Sequence, residues 1–343
     1  MKKVKLMKKM AAVIMAGTMM TALAVPVMAE SVPQIGGVKN VTITKSLTKY
    51  ANSYAPNTTF SFKIQSGTAS GDGKIYAGPA GGVVFNTGKD SVAFAPASGD
   101  IGKTTLTGTT QLTVVESAFT NAGVYRYLVS EVIPSAKYDG VVYSTETKIF
   151  DVYKFSDGSF SYVFEDERGA KDDGVFDNTY VHGTGGVNDL TIAKTVTGKL
   201  GVKSNKFAFI IAVAPSNSGE KFLVKDESGN VLKSNWDGTA ATISLANAQK
   251  AVIYGLSAND TYTVTETVAN QDGYTTTIDN VKTTTGTASG KITADKTISY
   301  VNDKDTTVPT GIAMDIAPYA IMVAAAFLLG FAFLRTRRVG KNK

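Results

Sequence analysis

The sequence contains no cysteine, which excludes disulfides, thiol nucleophiles and thiolate metal sites. Its only histidine, His182, lies in a glycine-rich stretch, so neither a zinc site nor a histidine-based catalytic triad is expected. No glycine-rich phosphate loop or metal-ligand spacing is present. Glu165, Asp166 and Glu167 could supply the paired acids of a glycosidase, but an acidic run beside a turn reads as a solvated loop. No enzyme and no cofactor are expected.

Long apolar runs are confined to the two ends. Met1–Ala29 combines Lys2, Lys3, Lys5, Lys8 and Lys9 with an apolar run from Met10 to Ala24 and small residues at the close, the pattern of a secretory signal peptide. At the other end Ile316–Leu334 is almost wholly apolar, close to the roughly 20 residues that cross a bilayer. Arg335, Arg337, Arg338, Lys341 and Lys343 follow it and hold that end in the cytoplasm. The full chain has 35 basic and 29 acidic residues. Without the five basic residues at each end and Asp315, 25 basic and 28 acidic residues remain, a net charge of −3. The basic balance therefore belongs to the targeting segments, and no nucleic-acid partner is expected.

Just before the apolar span stand Val308, Pro309, Thr310 and Gly311. A short Pro-Thr-Gly element, an apolar span and a basic tail resemble the cell-wall sorting signal of Gram-positive surface proteins. Val308 stands where leucine is usual, and the motif is one residue shorter than the common five-residue form. The resemblance implies that a sortase cysteine cleaves the Thr310–Gly311 bond and passes the threonine acyl group to an amine. It also implies a secreted product anchored to the cell wall, with a precursor held transiently in the membrane.

Between these ends the sequence has a period of two in nearly every readable segment. Phe60–Ile64, Ile149–Tyr153 and Phe207–Ile211 alternate on β-branched and aromatic residues, and Ser156-Asp157-Gly158, Ser228-Gly229-Asn230 and Asn259-Asp260 mark turns. Many short strands with frequent turns predict an all-β protein of two tandem immunoglobulin-like sandwiches. The expected organisation is a signal peptide over 1–29, a first domain over 30–180, a linker over 181–189, a second domain over 190–306 and the sorting signal over 307–343.

The two halves repeat one order of features. Each begins with an alternating strand that carries a lysine, Lys45 or Lys194; later comes Tyr-x-x-x-Glu, ending in Glu131 or Glu266; each closes on an aromatic strand ending in Asn178 or Asn302. Residues two apart on a strand share a face. Lys45 follows Val41 and Ile43, Glu131 follows Tyr127 and Val129, and Asn178 follows Phe176. Lys194, Glu266 and Asn302 have the same parity with their own apolar neighbours. All six should point into a core, where an isolated polar group is costly, so each trio should meet.

Such a trio can form an isopeptide bond between lysine Nζ and asparagine Cγ, with loss of ammonia. Apolar burial favours the neutral amine and the neutral acid. The acid is expected to hydrogen-bond the asparagine carbonyl and to shuttle protons. Holding the reactants at near-attack distance contributes roughly 7–11 kcal/mol. These motifs resemble the backbone pilins of streptococci and relatives, built from collagen-adhesin B-type immunoglobulin-like domains. By that likeness the cross-links are Lys45–Asn178 and Lys194–Asn302, with Glu131 and Glu266 as catalytic acids. Nearby Lys49 competes with Lys45 for the first.

The resemblance also implies a shaft of identical subunits joined head to tail by a pilus-class sortase, with minor pilins and peptidoglycan as further partners. The Tyr-Pro-Lys-Asn element common among pilins is absent. Resembling streptococcal pilins use a lysine before the last strand of the first domain, the place Lys171 occupies here. Asp172 and Asp173 beside it should keep it charged and exposed. The alternative is a monomeric wall-anchored adhesin with stalk-like domains, and no host ligand is legible.

Overall fold

Val41, Ile43, Lys45 and Leu47 alternate with polar residues along one strand, and that alternation buries one face and leaves the other to solvent. The computed structural model describes residues 37–305. The signal peptide, Val308 to Gly311 and the apolar span lie outside the described residues. The first half comprises β1 (Val38–Lys49), β2 (Thr58–Ser66), β3 (Ile75–Ala77), β4 (Val83–Phe85), β5 (Ser91–Phe94), β6 (Thr105–Val115), β7 (Gly123–Val132), β8 (Thr147–Lys154), β9 (Phe160–Glu165), β10 (Lys171–Asp172) and β11 (Val175–Tyr180). The second comprises β12 (Val187–Thr197), β13 (Phe207–Ala214), β14 (Phe222–Asp226), β15 (Val231–Trp236), β16 (Ala241–Leu245), β17 (Lys250–Ser257), β18 (Thr261–Glu266), β19 (Thr275–Ile278), β20 (Val281–Lys282), β21 (Thr287–Lys291) and β22 (Lys296–Asp303). The all-β expectation is borne out.

Each half is two sheets face to face. In the first, the order β11-β1-β6-β4 faces β10-β9-β8-β7-β2-β5, with β3 on β7. In the second, β15-β14-β17-β12-β22-β19-β20 faces β16-β13-β18-β21. In both, the first and last strands lie side by side and parallel, β1 with β11 and β12 with β22. A core of Ile43, Phe62, Leu112, Val129, Phe150 and Phe176 fills the first sandwich, and one of Ile192, Phe209, Ile211, Val264, Ile298 and Tyr300 fills the second. The turn at Asn259 takes a left-handed φ of 80°, a conformation asparagine tolerates better than most residues.

The glycine-rich connection folds as a tight turn. Gly186 N donates to Gly183 O, Val187 N donates to Val181 O, and His182 bridges to Val187, where β12 already begins. A Cβ at Gly186 would meet Val181 O at 1.8 Å, so only glycine fits there. His182 Nε2 lies 3.0 Å from Asp295 Oδ1 and 3.5 Å from Asp189 Oδ2, and its ring packs on Tyr50.

The halves are docked rather than strung. Val187 joins Leu47, Phe60, Tyr138, Val141 and Tyr180 in a third apolar cluster at the junction. Gly255, at φ +81°, would place a Cβ 3.0 Å from Ser53 Cβ, so glycine lets the second half approach that closely. Asn235 N donates to Tyr54 Oη at 2.6 Å, and Ser257 Oγ donates to Asp139 O at 3.0 Å.

Behind that last bond two acids are buried, Glu220 and Asp260. Ser257 touches both, its N donating to Asp260 Oδ2 at 2.8 Å and its Oγ in hydrogen-bond contact with Glu220 Oε1. Burial, then the Asp260 charge, pushes Glu220 up to about 8 from 4.5. Between these values the folded chain holds a proton that the unfolded chain has released, so stability falls as pH rises through this window. Thermal melting of residues 37–305 should therefore occur at higher temperature near pH 5 than near pH 8. Glu220→Gln should flatten that difference, and an unchanged slope in the variant would refute the assignment.

Candidate functional site

In the first half β1 and β11 pair so that Lys45 stands opposite Phe176 and Leu47 opposite Asn178. The lysine and asparagine are thus diagonal neighbours on one buried face of a parallel pair. Glu131 comes from β7 in the facing sheet. Lys45 Nζ lies 2.9 Å from Glu131 Oε2 and donates to Phe176 O at 2.9 Å. Asn178 Nδ2 donates to Glu131 Oε1 at 2.7 Å, and Asn178 Oδ1 accepts from Ser144 N at 2.7 Å. Lys45 is wholly buried, Asn178 is 1 % exposed and Glu131 is 6 % exposed.

The second half repeats the arrangement at the same offset. Lys194 stands opposite Tyr300 and Val196 opposite Asn302 on the parallel pair β12 and β22. Glu266 reaches across from β18. Lys194 Nζ donates to both Glu266 oxygens, at 3.1 and 3.0 Å, and Asn302 Nδ2 donates to Glu266 Oε1 at 2.5 Å. All three residues are at most 1 % exposed. Tyr300 pins the last strand across the sandwich by donating its hydroxyl to Val264 O at 2.7 Å, two residues before Glu266.

Aromatic rings seal both sites. Lys45 Nζ lies 4.9 Å from the Phe60 ring centroid and Lys194 Nζ lies 4.3 Å from that of Phe207, near enough for a cation–π contact that partly offsets lost hydration. Burial nonetheless dominates the lysines. It pushes Lys45 down from its ordinary value against the opposing pull of Glu131, and takes Lys194 down to about 8. Both amines are therefore easier to deprotonate than a surface lysine.

Each glutamate touches the lysine nitrogen and the asparagine nitrogen, not the carbonyl oxygen expected from the sequence. Among the described contacts the carbonyl of Asn178 is held by the backbone N–H of Ser144, while Asn302 Oδ1 is buried with no hydrogen-bond partner. A carboxylate bridging two nitrogens can accept a proton from one and return it to the other, which is the transfer an amine-for-amide exchange requires. Ser144 had no signal in the sequence, because a backbone donor carries no residue identity.

Lys49 is buried as well, but for another purpose. Its Nζ donates to the carbonyls of Tyr50, Ser53 and Lys103 at 2.9, 2.7 and 3.0 Å, closing the loop after β1. Lys171 is exposed and forms the two-residue edge strand β10, opposite Glu165 on β9. It sits on a sheet edge rather than in the free loop read from the sequence. Asp172 does not serve it: that carboxylate takes Lys148 Nζ at 2.7 Å and Gly174 N at 2.7 Å. Asp173 accepts from Val175 N at 3.1 Å. Glu165, Asp166 and Glu167 do not converge on a site: Asp166 caps the Arg168 and Ala170 backbone, and Glu165 lies 3.4 Å from Arg126.

The contrast between the two buried lysines is testable. Lys49→Ala should destabilise the first half by about 2 kcal/mol or more, since three carbonyls lose their donor, while the mass of the purified protein changes only by the substitution. Lys45→Ala should also add back one ammonia. Equal mass behaviour of the two variants would contradict this division of roles.

Residues 41–181 match the family of the Spy0128-like isopeptide containing domain, and residues 188–304 match a domain of unknown function (DUF7601). A curated pilin of Streptococcus pyogenes serotype M1 is 28 % identical over 307 residues, which is 83 % of this chain and 86 % of the relative. The pilus tip adhesin Cpa of Streptococcus pyogenes is 30 % identical over 138 residues, 37 % of this chain and 18 % of the relative. The crystal structure of the major pilin from Streptococcus pyogenes superposes with a TM-score of 0.58 at 23 % identity, covering 78 % of this chain and 99 % of that one. The first half therefore carries a Spy0128-like isopeptide containing domain, and the chain is similar along most of its length to a curated streptococcal pilin.

Proposed function

We propose that this pilus subunit is a shaft component whose two halves each close on a self-made bond, Lys45 to Asn178 and Lys194 to Asn302. The observation that supports this most is the repetition: two sandwiches of unlike sequence bring the same three groups together at the same strand offset. The first step moves a proton from lysine Nζ to the shared glutamate. The freed amine attacks asparagine Cγ, and the carbonyl oxygen takes the developing charge, opposite Ser144 N–H in the first half. The glutamate then protonates Nδ2, the C–N bond breaks, and ammonia leaves, taking the surplus proton from the former lysine nitrogen to become ammonium. Lysine ammonium and carboxamide thereby become a secondary amide and an ammonium ion, with Glu131 or Glu266 again a carboxylate.

Each bond joins the first strand of a half to its last, closing loops of 133 positions (45 to 178) and 108 positions (194 to 302). In the chain-entropy treatment each stabilises by about 4–5 kcal/mol. Tension entering on one strand then crosses to its neighbour through covalent bonds, so the sheets need not unzip. With no cysteine in the chain, this is the staple that replaces a disulfide.

Polymerisation in this reading uses the ends. A pilus-class sortase cleaves Thr310–Gly311 within Val308–Gly311 and transfers the threonine acyl group to Lys171 of the next subunit. An exposed lysine on an edge strand is reachable by such an enzyme. The precursor is held by its apolar span until cleavage, minor pilins join the shaft, and the base is attached to peptidoglycan. The monomeric adhesin reading has in its favour a match to a tip adhesin that spans only 18 % of that relative.

Intact-mass measurement of the recombinant chain over 37–305 should find two ammonia masses missing. Glu131→Gln and Glu266→Gln should each restore one and lower the melting temperature of the affected half, on the order of 10 °C. A wild-type mass equal to the uncorrected sequence would abandon the bonds. On cells, wild-type extracts should give an SDS-resistant ladder that Lys171→Ala abolishes. One wall-released band in the wild type would favour the anchored monomer.

A further inference from the structure

The outer face of the four-stranded sheet in the second half differs from the rest of that half in its charge. Residues 188–304 contain 12 lysines and 11 acidic residues. Four of these 23, Lys194, Glu220, Asp260 and Glu266, are buried. Of the other 19, only Lys291, at the rim on β21, takes an outward position on these four strands, and exposed Lys206 stands just before β13.

The centre of the face is small and apolar beside hydroxyls. β13 presents Ala208, Ile210, Ala212 and Ala214 outward, and Ile210 is 40 % exposed. Facing these on β18, Thr265 pairs with Ile210, Thr263 with Ala212 and Thr261 with Ala214. The flanking strands continue the pattern, with Thr242 and Ser244 on β16 and Thr287 and Ser289 on β21. Thr265 and Thr287 hydroxyls already pair across strands at 3.0 Å. The opposite outer face of the same sandwich carries Asp189, Lys225, Lys250 and Asp303 on its strands.

We propose that this face is a lateral contact, packing against the same face of a second copy of the chain in a neighbouring shaft. The inference rests on the polymer reading above. A charged partner finds no complement here, whereas two copies meet without opposing like charges at the centre. Threonine and serine hydroxyls are both donors and acceptors, so identical faces can satisfy each other. Small side chains on a sheet permit the face-to-face spacing of about 10 Å seen between packed sheets. Four strands about 4.8 Å apart and some five residues long present roughly 300 Å² per copy. Stable pairs need about 800 Å² per partner, so isolated subunits should stay monomeric. Repetition along a covalent polymer converts many weak contacts into strong association.

The test uses wild-type pili and the double variant Ile210→Lys, Thr263→Lys, whose changes lie on the solvent face and leave the core intact. Negative-stain electron microscopy should show wild-type filaments side by side, and several-fold fewer bundled filaments in the lysine variant. The SDS-resistant ladder should be the same in both, and the purified 37–305 chain should sediment as a monomer. Mixing the lysine variant with filaments carrying Ile210→Glu, Thr263→Glu should restore bundling. Single wild-type filaments, or undiminished bundling in the lysine variant with its ladder intact, would overturn the lateral contact alone. Absence of the wild-type ladder would remove the polymer and the contact together. Single wild-type filaments whose host-cell adherence falls in the lysine variant would give the face to a host ligand and overturn the proposal.

Discussion

Each half of this molecule depends on one carboxylate placed between two buried nitrogens. A lone ammonium in the core of either sandwich would cost several kcal/mol in lost hydration. Glu131 and Glu266 supply the opposing charge at Lys45 and Lys194, 2.9 and 3.0 Å away. The same carboxylates hold the asparagine side chains of the last strands. Because lysine and asparagine lie on neighbouring parallel strands and the glutamate on the facing sheet, the contact ties three strands and both layers together. An apolar residue in any of the three places would pack, but would not bring a nucleophile and a carboxamide onto one proton carrier.

The junction follows a related logic at a different place. Val187 and Tyr180 continue an apolar cluster through the connection, and Gly186 and Gly255 allow backbone approaches that a side chain would block. The buried acids Glu220 and Asp260 organise the polar side through Ser257, whose hydroxyl reaches Asp139 in the first half. A connection rich in glycine is often flexible; here glycine serves close packing. With the proposed bond in each sandwich, this docked junction would suit a subunit that transmits tension along its length.

Much of this was legible in the residue order. Period-two alternation in Phe60–Ile64 and Phe207–Ile211 marked strands, and the structure has strands there. The parity of Lys45, Glu131 and Asn178 with apolar neighbours placed them on inward faces, where the structure also has them. Other features left no mark. Lys49 also shares the parity of Lys45, and only its three carbonyl partners separate the two. The backbone donor at Ser144 has no residue signature. Asp172 beside Lys171 looked like its counter-charge, yet it pairs with Lys148 from a strand that is 24 positions away.

Alternation along a strand is local, so the sequence by itself determined which side chains are buried, that the protein is all-β, that disulfides and thiol chemistry are excluded, and that two repeats share one order of features. Which buried groups touch was decided only by the tertiary structure. Asn178 stands opposite Leu47, two residues from both Lys45 and Lys49. It is Glu131 on the facing strand β7 that takes Lys45 and Asn178 together while Lys49 turns to three backbone carbonyls, an arrangement set by packing between segments far apart in the chain. Parity names a face; sheet register and layer stacking select the neighbour.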